Sequence, residues 1–314
     1  MSVIFSNDSL LALFVSIMTV MAITLIFKTS TTTNFAQTTI ATFGCYLVAK
    51  IMYEAHVNIW VSTLIGFVIC MLIGIFIDVG VIRHARHVNP VGKQIITMGF
   101  TYILLSIISF AVQIKTPAGT IVQVNPATAL IPITKEVGGQ IVNVGFNVGN
   151  IFYSWNTVVC VIIAVVLIAA LYIAIYLTKW GLGVRMTASN ETTAQMMGVN
   201  THVITAASWS IAAGLGCLAC VFINNANGKL STSIMTSVQL AAFLGCIVGG
   251  FNTFWGPAVA AAIIWLAGSL VNVLGMYVGS EIVNWKDVIV YGVAMILVLI
   301  RPTGLFGKAA RKKV

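Results

Sequence analysis

Long apolar stretches separated by short polar ones run along nearly the whole chain. A helix needs about 20 mostly apolar residues to cross a bilayer. Nine segments approach or reach that length: residues 9–27, 35–53, 59–82, 95–114, 153–178, 203–223, 237–250, 257–278 and 287–300. The second segment opens with polar residues and the seventh is short, which makes both candidates for broken or re-entrant helices. The pattern predicts an all-α, polytopic integral membrane helix bundle with 8–9 transmembrane helices, in a single domain spanning residues 1–314.

The composition excludes several broad classes of protein. Of the 314 residues, 59% are hydrophobic and 7% are charged, whereas a soluble domain has about 45–50% apolar and about 25% charged residues. A water-soluble globule, a disordered chain and a fibrous protein are therefore excluded. The six cysteines all lie inside apolar stretches, so we expect them to pack as small apolar side chains rather than form disulfides.

The placement of the basic residues indicates how the chain is oriented. They stand singly between apolar stretches and in a short tail, without the basic stripe or motif of a nucleic-acid-binding protein. If the N-terminus lies outside and nine segments cross, eleven basic residues fall on one side and five on the other. Because cytoplasmic loops carry the excess of Lys and Arg, we expect an external N-terminus and a cytoplasmic C-terminus.

This orientation assigns the larger loops to opposite faces. Residues 115–152 form an external loop, in which the loose alternation over 140–147 predicts a short hairpin. Residues 179–202 and the tail 301–314 are cytoplasmic. The loop at 179–202 predicts a short amphipathic helix that Ser189 or Asn190 caps and that Gly198 ends.

Chemistry-bearing motifs are absent from the sequence. The predicted spans carry almost no ionisable residues in their middles, and Asp78 lies near a span end, where it can pair with Arg83. The chain has no Gly-x-Ser-x-Gly, no His-Glu-x-x-His and no P-loop motif. We therefore expect no enzyme activity, no metal site and no cofactor bound by this chain. A transporter that has neither an ion site nor a nucleotide site of its own is either a passive pore or takes its energy from a partner.

Four stretches resemble the permeases of high-affinity branched-chain amino acid importers, which belong to the ABC importers. Thr33-Asn34-Phe35-Ala36 resembles the family's Asn-Phe-Ala-His-Gly, with Gln37 and Thr38 in place of His-Gly. Residues 249–256 resemble Gly-Gly-x-Gly-Ser-x-x-Gly, with Asn252 and Thr253 in place of Gly-Ser. Residues 301–307 match Arg-Pro-x-Gly-Leu-Phe-Gly, and residues 181–198 resemble the Gly-x-x-x-Arg and Asn-x-x-x-Ala-x-x-x-Gly of the cytoplasmic coupling region.

The resemblance implies a set of partners and a location. These are two ABC ATPase subunits, a second permease subunit in a hetero- or homodimer, an external solute-binding protein and membrane lipid, in a bacterial cell membrane. It also implies two groups of functional residues. The ATPase-coupling residues are Arg185, Asn190, Glu191, Ala194 and Gly198. The translocation path is lined by Asn34, Phe35, Gln37, Gly249, Gly250, Asn252 and Thr253.

A path without fixed charge suits a zwitterionic, largely apolar solute. Leucine, isoleucine and valine are the first expectation, taken up by alternating access that the partner ATPases drive. Two alternatives stay open at this point: a permease of the same type for urea or short amides, and a passive channel that needs no ATPase.

Overall fold

The computed structural model describes residues 4–85, 87–112, 134–137, 140–149, 151–227, 230–279 and 281–307. The helices are α1 (Asn7–Ser30), α2 (Gln37–Glu54), α3 (Ile59–Phe76), α4 (Pro90–Ile107), α5 (Trp155–Leu177), α6 (Lys179–Ser189), α7 (Glu191–Met196), α8 (Thr201–Asn227), α9 (Thr236–Gly249), α10 (Trp255–Val278), α11 (Glu281–Asn284) and α12 (Lys286–Ile300). α3 continues as π-helix over Ile77–Ile82, and α4 does so over Ile108–Val112. The strands are β1 (Thr134–Val137), β2 (Gln140–Asn143), β3 (Gly145–Val148) and β4 (Ile151–Ser154).

Each of the nine predicted spans coincides with one helix, which confirms a polytopic helical bundle. Within the described residues, six helices are long and apolar enough to cross a membrane: Asn7–Ser30, Ile59–Ile82, Pro90–Val112, Trp155–Leu177, Thr201–Asn224 and Trp255–Val278. α9, at 14 residues, is a shorter apolar helix.

Capping residues set several of the helix starts. Asn89 accepts a 2.8 Å hydrogen bond from the N–H of Gly92, and Pro90 follows it at the first position of α4. Ser154 accepts a 3.2 Å hydrogen bond from the N–H of Thr157 and so starts α5. These side chains satisfy N–H groups that a helix leaves unpaired in its first turn.

α1 and α8 form the centre of the bundle. In the most apolar stretch of each helix, 61% of the α1 residues and 72% of the α8 residues are buried, compared with 22–33% in the other long helices. The largest fully buried side chains include Trp209 and Phe222 of α8. The outer helices instead expose apolar side chains such as Leu64 of α3 and Val166 of α5, as expected for surfaces that face lipid.

α2 starts inside the bundle, and the start of α9 lies against it. The Gln37 side-chain amide donates a 2.6 Å hydrogen bond to the carbonyl of Ala212, which lies near the middle of the long helix α8. Gln239, in the first turn of α9, donates to the carbonyl of Phe35, just before α2. The two helix starts are therefore neighbours within the bundle, at the two segments whose sequence suggested broken or re-entrant helices.

The strands form two antiparallel hairpins, β1 with β2 and β3 with β4. The prediction of one hairpin within 140–147 is therefore wrong in its pairing: this stretch supplies β2 and β3, which belong to different hairpins. Only Val144 separates them, which leaves no room for a turn that would bring β2 back onto β3. The rest of the predicted external loop, residues 115–133, and residues 308–314 of the tail lie outside the described residues.

All six cysteines are buried, and none forms a disulfide. They pack as the small apolar side chains that the sequence predicts.

Candidate coupling surface and translocation site

One end of the bundle, called here the coupling end, is formed by α6, α7, the turn at residues 250–254 and residues 301–307. Thr178 caps α6 by accepting a 3.1 Å hydrogen bond from the N–H of Gly181. Asn190 caps α7 by accepting a 3.0 Å hydrogen bond from the N–H of Thr193. Gly198 follows α7 with a φ of 82°, a left-handed conformation that favours glycine. Asn190 and Gly198 thus start and stop a helix as their positions predict, although the region contains two helices rather than one.

α7 presents most of its side chains outwards. Met196 and Met197 are 81% and 71% exposed, and Glu191 is exposed beside them. Ala194, by contrast, is 1% exposed and packs inwards. The outer surface of α7 therefore combines one carboxylate with two flexible, polarizable side chains of the kind that adaptable protein interfaces use.

Polar contacts tie α7 and α3 to the start of the central helix α8. The Gln195 amide donates a 2.9 Å hydrogen bond to the hydroxyl of Thr201, the first residue of α8. On the π-helical end of α3, Asp78 accepts hydrogen bonds from Arg83 at 3.3 Å and from Thr205 of α8 at 3.2 Å. The Asp78–Arg83 ion pair confirms the pairing expected from the sequence. Both α7 and the end of α3 are therefore held to the start of α8 by side-chain hydrogen bonds.

The first group of predicted path residues lies at the start of α2. Asn34 and Gln37 are each 1% exposed. The Asn34 amide donates to the Gln37 side chain at 3.3 Å, and the Asn34 oxygen accepts from the N–H of Ala36 at 3.0 Å. Because the Gln37 amide also binds α8, both side chains hold the start of α2 in place.

Phe35 connects this segment to α4 and α9. Its N–H donates to the Thr97 hydroxyl at 3.1 Å, and its carbonyl accepts from Gln239 at 2.7 Å and from the Thr101 hydroxyl at 3.4 Å. The Thr38 hydroxyl donates to the other end of the Gln239 amide. The break before α2 is thus closed by polar groups of two other helices, as irregular backbone inside a membrane requires.

A cavity of about 190 Å³ opens beside Phe35 and Gln239. Its walls are largely apolar and contain no charged side chain: Phe35, Met98, Thr101, Tyr102, Thr236, Gln239, Leu240 and Phe243. The rings of Phe35 and Phe243 are 5.0 Å apart. Met98, Tyr102 and Leu240 are exposed, so the cavity opens onto the outer face of α4 and α9.

Gly249 and Gly250 lie elsewhere, at the coupling end. A Cβ on Gly249 would overlap the backbone of Gly256, and one on Gly250, whose φ is 84°, would lie 2.7 Å from the carbonyl of Thr303. The N–H of Leu305 donates a 2.7 Å hydrogen bond to the carbonyl of Val248. Two motifs that are about 50 residues apart in the sequence therefore form one packed unit, in which these glycines permit close backbone approach.

Asn252 and Thr253, the remaining predicted path residues, line a second cavity together with Arg185. This cavity holds about 660 Å³ and also contains Lys28, whose ammonium donates a 2.6 Å hydrogen bond to the carbonyl of Asn252. The predicted path residues thus separate into an interior group at the start of α2 and a group at the coupling end.

Comparison with known proteins gives the family. The sequence profile of the permease components of branched-chain amino acid transport systems matches residues 7–299. The chain belongs to this family. It is a multi-pass membrane permease component, in agreement with the resemblance carried by its four motifs.

Individual relatives are distant but cover most of the chain. LivH, the high-affinity branched-chain amino acid transport system permease protein of Escherichia coli K12, is 24% identical over 90% of this chain and 87% of its own length. LivH of Salmonella typhimurium is 23% identical over the same shares. BraD of Pseudomonas aeruginosa, a permease protein of the same description, is 23% identical over 54% of this chain and 53% of its own. None of these three is named for urea or a short amide, and no solved structure is significantly similar to the chain.

Several residues at these sites were not among the predicted ones. Gln239, Thr97 and Thr101 complete the interior group, and Lys28 and Tyr176 complete the second cavity. A polar amide in the apolar stretch that becomes α9 was the available signal for Gln239, because such a group needs a hydrogen-bonding partner in a membrane.

Proposed function

We propose that this chain carries leucine, isoleucine and valine across a bacterial plasma membrane as one permease of an ATP-driven importer. The observation that carries the proposal is the uncharged cavity beside Phe35 and Gln239, in a member of the branched-chain amino acid permease family. Its apolar walls suit a branched aliphatic side chain, and the polar groups at the starts of α2 and α9 suit the solute's backbone charges. The chain itself then needs neither catalytic activity nor a cofactor.

The exposed surfaces of the chain support the same set of partners. The cavity beside Phe35 and Gln239 opens on the outer face of α4 and α9. A second permease packed on this face would complete the path. The solute would reach it from an external solute-binding protein. Two ATPase subunits would dock at the coupling end, one of them on α7 of this chain.

Coupling between ATP hydrolysis and transport would pass through α7 and α8. Glu191, Met196 and Met197 form the exposed surface that an ATPase would push. Asn190 and Gly198 keep α7 short and fixed at both ends, and Ala194 lets it lie close to the bundle. Through Gln195 and Thr201 the motion reaches α8, which rocks the centre of the bundle and opens the path on alternate sides.

The orientation proposed from the sequence is an external N-terminus and a cytoplasmic C-terminus. Basic residues at the coupling end support it: Lys28, Arg83, Lys93, Lys179, Arg185 and Arg301. Since basic residues concentrate on the cytoplasmic side, this end would face the ATPases. Met196→Cys should then react with a membrane-impermeant thiol reagent only when the reagent is supplied inside, because all six native cysteines are buried.

Reconstitution tests the function. The chain would be purified from native membranes with the ATPase and permease subunits that assemble with it, placed in proteoliposomes and supplied with the solute-binding protein. Uptake of radiolabelled leucine should require ATP and should be competed by isoleucine and valine but not by urea. Uptake that persists without ATP would indicate a channel, and uptake of urea without leucine would overturn the proposed solute.

A further inference from the structure

The cavity at the coupling end brings together two cations from distant parts of the sequence. Lys28 comes from the last turn of α1 and Arg185 from α6, and both line the same space of about 660 Å³. The Lys28 ammonium lies 5.0 Å from the centre of the Phe254 ring. The Arg185 guanidinium lies 5.5 Å from the centre of the Tyr176 ring. The Nε atom of Arg185 is buried without a hydrogen-bond partner. Aromatic faces therefore hold both cations in position.

No described carboxylate pairs with the positive charge in this cavity. Among the described residues, neither Lys28 nor Arg185 forms an ion pair. The two described carboxylates of the coupling end have other partners: Asp78 binds Arg83, and Glu191 accepts from Gln195. α10 also begins at the cavity, with Trp255 and Gly256 in its wall, so the positive end of that helix adds to the field of the two cations.

The wall of the cavity is rich in partly exposed aromatic side chains. Trp255 is half exposed, and its ring packs 4.5 Å from that of Tyr172, which in turn lies 4.6 Å from Tyr176. Trp and Tyr concentrate where the acyl chains of a bilayer meet the headgroups. Phe306, also half exposed, lies in the same wall.

We propose that this cavity binds the phosphate of an anionic phospholipid, with Arg185 and Lys28 as the phosphate ligands and the aromatic wall against the glycerol and upper acyl chain. Basic cavities between membrane helices are a general type of lipid headgroup site. Arg185 lines the cavity with a guanidinium, the group best shaped to bind phosphate oxygens. The lipid would stabilise the junction of α1, α6 and α10, next to the surface proposed for the ATPase.

Native mass spectrometry of the full chain, purified with the subunits that assemble with it and stripped of lipid, tests this site. Phosphatidylglycerol is the probe, and phosphatidylcholine is the zwitterionic comparison. Lys28→Gln and Arg185→Gln should each weaken phosphatidylglycerol binding by about tenfold, and Lys28→Arg should retain it. Lys50→Gln is the matched control, because Lys50 also donates a 2.6 Å hydrogen bond to a backbone carbonyl, that of Ala111, but lies at the opposite end of the bundle.

Three outcomes would overturn the proposal. Equal phosphatidylglycerol binding by Lys28→Gln, Arg185→Gln and Lys50→Gln would remove the site. Displacement of the lipid by millimolar inorganic phosphate, with the same dependence on the two cations, would assign the cavity to free phosphate. Loss of ATPase subunits from both variants with unchanged lipid binding would make the cavity a protein contact. Lipid binding is measured without transport, so the result is independent of whether the chain imports amino acids.

Discussion

The Gln239 amide of α9 donates a 2.7 Å hydrogen bond to the carbonyl of Phe35, 204 residues earlier in the chain. The same amide accepts a hydrogen bond from the Thr38 hydroxyl. One side chain thus joins the starts of α2 and α9. The cavity proposed to hold the solute's side chain lies directly beside this junction.

Gln239→Leu should abolish leucine uptake while the protein still inserts into the membrane. The substitution leaves the Phe35 carbonyl and the Thr38 hydroxyl without this partner, at a cost of about 1–3 kcal/mol for each buried group that stays unpaired. Leucine uptake in proteoliposomes measures the loss of transport, and thermal unfolding in detergent measures the loss of stability. Gln94→Leu makes the same chemical change near the start of α4 and should leave uptake close to wild type. Normal uptake by Gln239→Leu would remove this junction from the path.

The sequence predicts the helices well because hydropathy is a local property. Each of the nine apolar segments becomes a helix, and the two segments with weak signals become α2 and α9, whose starts are neighbours. Hydropathy does not determine which helices are neighbours, however. The contact between Gln239 and Phe35 depends on how α9 lies against the segment before α2. The packing of Gly250 against Thr303 likewise depends on how the ends of α9 and α12 meet.

The division of the predicted path residues has the same origin. Asn34 and Asn252 both follow a helix end, so their sequence contexts look alike. In the structure the chain after α1 turns back into the bundle, whereas the turn after α9 stays at the coupling end. Which of the two faces a solute therefore depends on tertiary structure.

Gly198→Ala should uncouple ATP hydrolysis from uptake. Nothing lies within 4 Å of a Cβ added at Gly198, but its φ of 82° is unfavourable for alanine by about 1–2 kcal/mol. The cost therefore comes from the backbone, and its relief would rotate α7 relative to α8. Gly99→Ala is the matched control, because a Cβ there also meets nothing within 4 Å but the residue lies in the regular helix α4. The ratio of leucine taken up to ATP hydrolysed should fall for Gly198→Ala only, and an equal ratio for both variants would contradict the role of this turn.

Glu191→Ala should abolish uptake with little effect on stability. Glu191 is exposed, and its one described hydrogen bond is a 3.5 Å contact with Gln195 in the next turn, so its removal should cost the fold less than about 0.5 kcal/mol. The expected defect is weaker attachment of the ATPases, measured by how much of each subunit co-purifies. Glu281→Ala removes an exposed carboxylate from the start of α11 instead. Full uptake and normal subunit recovery for Glu191→Ala would exclude this carboxylate from the coupling surface.

Asp78→Ala should destabilise the protein far more than removal of the other described ion pair. Asp78 is 3% exposed and holds Arg83 and Thr205, and deleting one partner leaves the other polar groups in an apolar setting. Because the Arg83 side chain is 29% exposed, water can solvate part of it. We therefore expect the free energy of unfolding to fall by about 1–3 kcal/mol.

Glu54→Ala breaks the Lys50–Glu54 pair, whose side chains are 30% and 54% exposed, and should lower the free energy of unfolding by about 0–1 kcal/mol. Asp78→Asn keeps an acceptor for Thr205 and should fall between the two. Thermal unfolding of the wild type and these three variants in one detergent gives the order of stability. Equal losses of stability for Asp78→Ala and Glu54→Ala would mean that this network does not hold α3 to α8.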